Sequence, residues 1–187
     1  MGLTDILNKL PMKVVSEVVK ETGKSRYSLA QVCNSAAAMP SIIVAIDANH
    51  NNDTSGVFVG GGWALLNILF TFYNQSRKQH ENPSFIDKRV EELTERYPIV
   101  NKAHLRKDLE NRLLKQDQAE IITKKSGLYY NIFGIVMAVA AYRAYGTLVE
   151  HPNEQLSNYA FYATLLSPSM MLTGVAHYFR AVRPKQV

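Results

Sequence analysis

The chain has 187 residues, a formal net charge of +5 and a pI near 9.3, with 47% hydrophobic and 20% charged residues. That length suits one domain, and a single cysteine, Cys33, excludes an internal disulfide and a multi-cysteine metal motif. A basic pI points to nucleic acid only when the cations form one patch. Here twenty of the 21 Lys and Arg residues lie outside four long stretches that are almost free of charge, and they flank those stretches instead.

Residues 27–46, 54–76 and 155–179 contain no Asp, Glu, Lys or Arg, and 126–149 contains only Arg143. The segments between them alternate in sign, basic at the start, after the second stretch and at the end, acidic after the first and third. A chain crossing a bilayer four times with both termini in the cytoplasm carries this pattern, because Lys and Arg are retained on the cytoplasmic side. The expected fold is all-α, an integral membrane protein with four transmembrane helices. Its segments are an N-terminal amphipathic cytoplasmic helix (1–27), a hairpin of spans 1 and 2 (28–76), a cytoplasmic helical segment (77–125), a hairpin of spans 3 and 4 (126–180) and a basic tail (181–187). The mean hydropathy of -0.13 is low for such a protein because it averages apolar spans with a polar middle.

Residues 3–20 place Leu3, Ile6, Leu7 and Leu10 at helical spacing, are interrupted at Pro11, and resume with Val14, Val15, Val18 and Val19. Lys9, Lys13 and Lys20 give this helix a polar face suited either to anionic headgroups or to packing on the protein's own cytoplasmic part. With no apolar core or small-residue cleavage site, this stretch is not expected to act as a signal peptide.

The first span, about 28–46, is expected to be the weakest, since it carries Gln31, Asn34, Ser35, Ser41 and Pro40. Polar and small residues in a span turn toward other helices rather than lipid. The loop 47–53 is short, so spans 1 and 2 form a tight hairpin. In the second span, about 56–73, Gly56, Gly60 and Ala64 recur at four-residue steps and offer a flat face for a close helix.

Residues 77–125 hold twelve Lys and Arg against nine Asp and Glu, a solvated segment. Ser84 with Asp87 resembles a capping box, opening a helix that stops at Pro98. A second helix follows, with Leu105, Leu109 and Leu113 at four-residue steps and Leu114, Ile121 and Ile122 nearby; its single apolar stripe needs a partner. The third span, about 127–147, has a small face of Gly134, Ala138, Ala141 and Ala144. The fourth, about 158–179, is expected to kink at Pro168. Aromatics cluster where the spans should end, among them Tyr27, Tyr73, Tyr130 and Tyr178 at the inner boundary and Tyr142, Tyr145 and Tyr159 at the outer.

Chemistry-bearing motifs are scarce. Gly60 to Gly62 lack the spacing of a phosphate loop, and no HExxH or Ser-His-Asp signature is present. The four-span topology brings Asp47, His50 and Asp53 to the same side as Glu150, His151 and Glu154, a donor set of the kind that takes a divalent cation; the plainer reading is two solvated acidic loops. Arg143 is the one charge inside a span, near enough to its outer end to snorkel or to pair with Asp47 or Glu150. His177 reads as a boundary residue. The expectation for function is therefore a non-catalytic structural or accessory subunit of a multi-protein membrane complex, scaffolding by helix packing and a cytoplasmic docking surface, with no cofactor predicted. Its partners would be the lipid bilayer and other membrane subunits or itself, without nucleic acid, in a bacterial or organellar inner membrane. Two alternatives stand: a transporter or channel component whose Asn34, Asn67 or Arg143 lines a shared polar pathway, and a small membrane enzyme with a metal site in the outer loops.

Overall fold

The computed structural model describes residues 3–80, 83–99, 101–117 and 119–182, with side chains other than those of 3–6, 79–80, 83, 85, 110–117 and 119–122. Among the described residues the chain is all-helical and has no strand: α1 (Leu3–Thr22), α2 (Arg26–His50), α3 (Thr54–His80), α4 (Pro83–Arg96), α5 (Lys102–Asp117), α6 (Ala119–Glu150) and α7 (Glu154–Ala181). Leu113, Leu114, Ile121 and Ile122 of the expected cytoplasmic stripe, and the basic tail from 183 on, lie outside what is described.

Local chemistry sets the connections. Gly23, at φ +60, ends α1 in the left-handed region that glycine enters without a Cβ penalty, and the Ser25 hydroxyl then accepts the Tyr27 N–H to open α2. Between α2 and α3 the left-handed position falls to Asn52, at φ 53, a residue type that tolerates it. Asn153 caps α7 by accepting the Leu156 N–H at 3.0 Å. The interruption expected at Pro11 does not occur. Proline removes one intrahelical bond, but α1 continues through it, with Asn8 and Val15 buried on either side. Likewise α2 runs through Pro40 and α7 through Pro168.

Three of these helices are long and apolar enough to cross a membrane: Arg26–His50, Thr54–Lys78 and Thr123–Glu150. Their outward faces carry large apolar side chains in numbers a soluble monomer does not leave exposed, such as Val32, Met39 and Ile46 on α2, Phe58, Leu65 and Phe72 on α3, and Phe133, Val136 and Val139 on α6. The expected weakness of the first span is corrected here, because α2 is as apolar as α6 by mean hydropathy. The helix outside this set is α7, and its place in the fold explains why.

α7 lies at the centre, packed along α2 on one side and α6 on the other, with α1 against its C-terminal part. α2 pairs with α3 in the hairpin. Enclosed in this way, α7 buries Ser167, Ser169, Thr173 and His177 together with Leu166, Ala176 and Tyr178. A helix packed on protein along much of its length needs less apolar surface, and Ser167, Ser169 and Thr173 find partners on neighbouring helices.

Close approach is made possible by small residues. A Cβ added at Gly60 would stand 2.7 Å from Ala45 N and 2.8 Å from Ser41 O, so the backbones of α2 and α3 meet there. α4 and α5 form a second hairpin in which Val90 is buried and Leu105 and Leu109 are half-buried, with an ion pair from Arg106 to Asp87 at 3.1 Å. Among the described residues α5 packs on α4 and, to a lesser extent, on α6. α4 begins with Pro83 at its first position, where a missing N–H costs nothing.

Candidate functional site

The six loop residues considered for a metal separate into different jobs. Asp53 caps α3: its carboxylate accepts the Ser55 hydroxyl at 2.8 Å, the Ser55 N–H at 3.1 Å and the Gly56 N–H at 3.2 Å. The Ser55 hydroxyl first, then the Gly56 N–H, hold that carboxyl below the usual aspartate range. Asp47 accepts from the Asn51 amide at 3.1 Å. Asp53 and Glu154 line one open polar cleft of about 490 Å³, shared with Asn51, Asn52 and Asn158. His50, Glu150 and His151 are exposed. Among the described residues no three His, Cys, Asp or Glu side chains converge on a point where a metal ion would sit.

Below that cleft an apolar one of about 400 Å³ is bounded by all four long helices, with Val44, Val59, Met137 and Leu166 in its walls. The small residues divide similarly. Gly56 faces Ala48 and Tyr162, Gly60 faces α2, and Gly134 faces Ser167 and Met171 of α7. Ala64 and Ala141 are buried, whereas Ala138 is exposed. Arg143 is exposed too, and among the described residues it makes no ion pair with Asp47, Glu150 or any other carboxylate. It stands two residues from buried Ala141, about 200° around the helix, and so faces away from the bundle.

A polar seam runs through the interior. Trp63 Nε1 donates to Ser169 Oγ at 2.9 Å; Ser169 lies 3.0 Å from the Ser41 hydroxyl and donates to Ala37 O. One turn on, Thr173 donates to Asn67 Oδ1 at 2.8 Å while Asn67 donates to Trp63 O at 3.0 Å. On the other side of α7, Ser167 donates to Gly134 O at 2.8 Å. α3 and α7 run parallel here, in the register 63 to 169 and 67 to 173.

Continuing in that register, Phe70 meets His177 edge-on with centroids 5.2 Å apart, and the Arg180 guanidinium lies over the Phe70 ring at 4.6 Å and near Tyr73 at 5.9 Å. Tyr130 of α6 closes the other side of His177 at 5.0 Å. Asn34, Asn74, His177 and Arg180 are all buried in this region, and Asn34, Asn74, the His177 ring nitrogens and Arg180 Nε and Nη2 have no hydrogen-bond partner. Arg26 finishes α7 by donating to Arg180 O at 3.0 Å and to Val182 O, a cation at a helix C-terminus. Tyr178 donates its hydroxyl to Asn8 Oδ1 at 2.7 Å and ties α1 to the bundle.

His177 and Tyr178 are both buried, His177 between the Phe70 and Tyr130 rings and Tyr178 against α1. Asn74 and Arg180 were outside the sequence-level candidates. The signal for them was present as spacing: Trp63, Asn67, Phe70 and Asn74 on α3, and Ser169, Thr173, His177 and Arg180 on α7, each form one helical stripe. No protein-family model matches the chain, and no characterised protein or solved structure shows significant similarity to it.

Proposed function

We propose that the chain is a non-catalytic, accessory subunit of a multi-protein membrane complex, with α7 as its fourth span and both termini in the cytoplasm. The charge alternation supports this topology, since Lys and Arg gather at the end carrying α1, α4 and α5 and are missing from the two opposite loops. The low hydropathy of α7 is consistent with a span that the other helices shield.

The observation that carries the assembly reading is the outward face of α6. Tyr129, Ile132, Val136, Val139 and Arg143 follow one another at steps of three and four residues and are all exposed. This is the spacing of a helix-to-helix seam, on the span that its own chain covers least. Arg143 stands in this stripe without an acidic partner among the described residues, and a cation facing lipid is stabilised by an acidic or carbonyl group on a neighbouring subunit. The partner class is therefore a transmembrane helix with a carboxylate near its outer end. The α4–α5 hairpin would supply the cytoplasmic docking surface.

Photocrosslinking from position 139, with native mass spectrometry of the mild-detergent extract, tests this. A crosslinked membrane protein, lost on Arg143→Leu, is the expected result; a monodisperse monomer with lipid adducts alone overturns it. Cysteine labelling at positions 50 and 151 against 104, in a Cys33→Ser background, tests the topology.

A second reading, a transporter or channel component, draws on the polar seam containing Asn34 and Asn67. The seam lies within one chain, and beyond Ser41 and Ser169 the polar lining gives way to an apolar one of Val44, Met137 and Leu166. Solute flux in proteoliposomes that Asn67→Leu abolishes would favour this reading over assembly.

A further inference from the structure

We propose that the α1 end of the bundle holds a phosphate group, gripped by Arg180 with Asn34, Asn74 and His177 around it. Arg180 is 7% exposed, and the Phe70 and Tyr73 rings cover the face of its guanidinium, leaving its edge as the part able to bind. The unpartnered atoms are Nε and Nη2. These two N–H groups point the same way and take two oxygens of one oxyanion in parallel, the bidentate geometry that distinguishes arginine from lysine. Among the described residues no carboxylate pairs with Arg180.

The same region contains the unpartnered amide nitrogens and oxygens of Asn34 and Asn74, both wholly buried, and both ring nitrogens of His177. Helix register gathers them. Ser35 meets Thr71 at 3.4 Å, which sets Asn34 beside the α3 turn before Asn74. Phe70 packs on His177, and one turn further along the two parallel helices stand Asn74 and Arg180.

A buried polar group without a partner loses its hydration and gains nothing in return, and proteins retain few of them. Ordered water would satisfy the two amides and the imidazole, but it would leave a buried cation without a counter-charge, which is the most costly of the omissions. An oxyanion supplies both. A carboxylate spends its two oxygens on the arginine fork, whereas a phosphate has further oxygens for donors on α2 and α3. The surrounding end of the molecule is also basic, with Lys24, Arg77, Lys78, Lys124 and Lys125 on the adjoining helix ends and turns, which raises the local concentration of anions. The phosphate is either the headgroup of a phospholipid or a free phosphate, and the chemistry of the site is common to both. The assembly of the chain with partners does not enter the argument, so a monomer would bind equally well.

The test uses the full chain purified in mild detergent. Phosphorus content after exhaustive detergent exchange, native mass spectrometry, and the thermal midpoint with and without inorganic phosphate are measured on the wild type, Arg180→Lys and Asn74→Leu. The wild type is expected to retain phosphorus or to gain thermal stability with phosphate, and Arg180→Lys, which keeps the charge but loses the fork, to weaken this roughly tenfold or more. A retained mass equal to a phospholipid identifies the headgroup as the source; stabilisation by inorganic phosphate without a lipid adduct identifies free phosphate. A wild-type protein with neither adduct nor phosphate response overturns the proposal without recourse to any variant. So does an adduct that persists undiminished in both Arg180→Lys and Asn74→Leu.

Discussion

The indole N–H of Trp63 on α3 donates to the hydroxyl of Ser169 on α7 at 2.9 Å, across a line where the two helices touch only narrowly. Because Ser169 also bonds Ala37 O and approaches Ser41, one small side chain connects three helices. Ser169→Ala removes the shared oxygen and leaves the indole N–H and the Ser41 hydroxyl without it. The expected loss is about 1–2 kcal/mol, above the average of roughly 0.6 kcal/mol for a single interhelical bond in a membrane. Unfolding titration in mixed micelles measures it, and Ser167→Ala, which loses one bond to Gly134 O, should cost less.

Neighbouring glycines on α3 give a paired comparison. Gly60→Ala places a methyl 2.7 Å from a backbone nitrogen that cannot rotate away, so α2 and α3 must separate; a cost of about 1–3 kcal/mol is expected. Gly62→Ala meets nothing within 4 Å and should be neutral or stabilising by up to about 1 kcal/mol, through helix propensity. The same unfolding titration distinguishes them, and equal effects would contradict this account of the α2–α3 contact.

Tyr178→Phe deletes the hydroxyl that reaches Asn8 and should release α1 before the rest of the bundle. Hydrogen exchange across α1 is expected to quicken by roughly two- to tenfold, corresponding to about 0.5–1.5 kcal/mol, with α2 and α3 unchanged.

Asp53 governs a pH response at the loop end. Its carboxyl is held below the ordinary value by Ser55 and then by the Gly56 N–H, so the folded state favours the ionised form. That stabilisation is present in full above the unfolded aspartate value of about 3.9 and is lost as pH falls through the folded value. Thermal midpoints of the wild type should therefore fall between pH 4 and about 2 relative to Asp53→Asn, which keeps a capping oxygen that does not titrate. Parallel curves for the two proteins over that range would refute the assignment.

Charge exclusion from the spans is a one-dimensional property, and for that reason α2, α3 and α6 are readable in the chain itself. Their ends are less so. Hydropathy detects the apolar interior, whereas α2 extends from Arg26 to His50 because Ser25 caps one end, and α3 starts at Thr54 because Asp53 caps it. The interior seam is harder to read. Asn67 and Thr173 are legible as polar residues in spans, but their meeting depends on a parallel register between helices more than a hundred residues apart. His177 and Arg180 resemble a boundary in sequence since a basic tail follows; their burial depends on Phe70 and Tyr73 of α3 and Tyr130 of α6, which come from distant parts of the chain.

The central position of α7 bears on how the protein is made. α2 and α3 can pair as soon as both are inserted, but α6 shares no extensive interface with either and packs chiefly on α7. The last helix in chain order is thus the one that joins the others, and until it arrives the Trp63 indole N–H and the Asn67 Oδ1 lack their α7 partners and α6 lacks the helix it chiefly packs on. On the proposed four-span topology, biogenesis must leave a slot open between two halves already in the bilayer. The half-built protein is the form with polar edges facing lipid, and it is the form that an insertion chaperone or a membrane protease would meet.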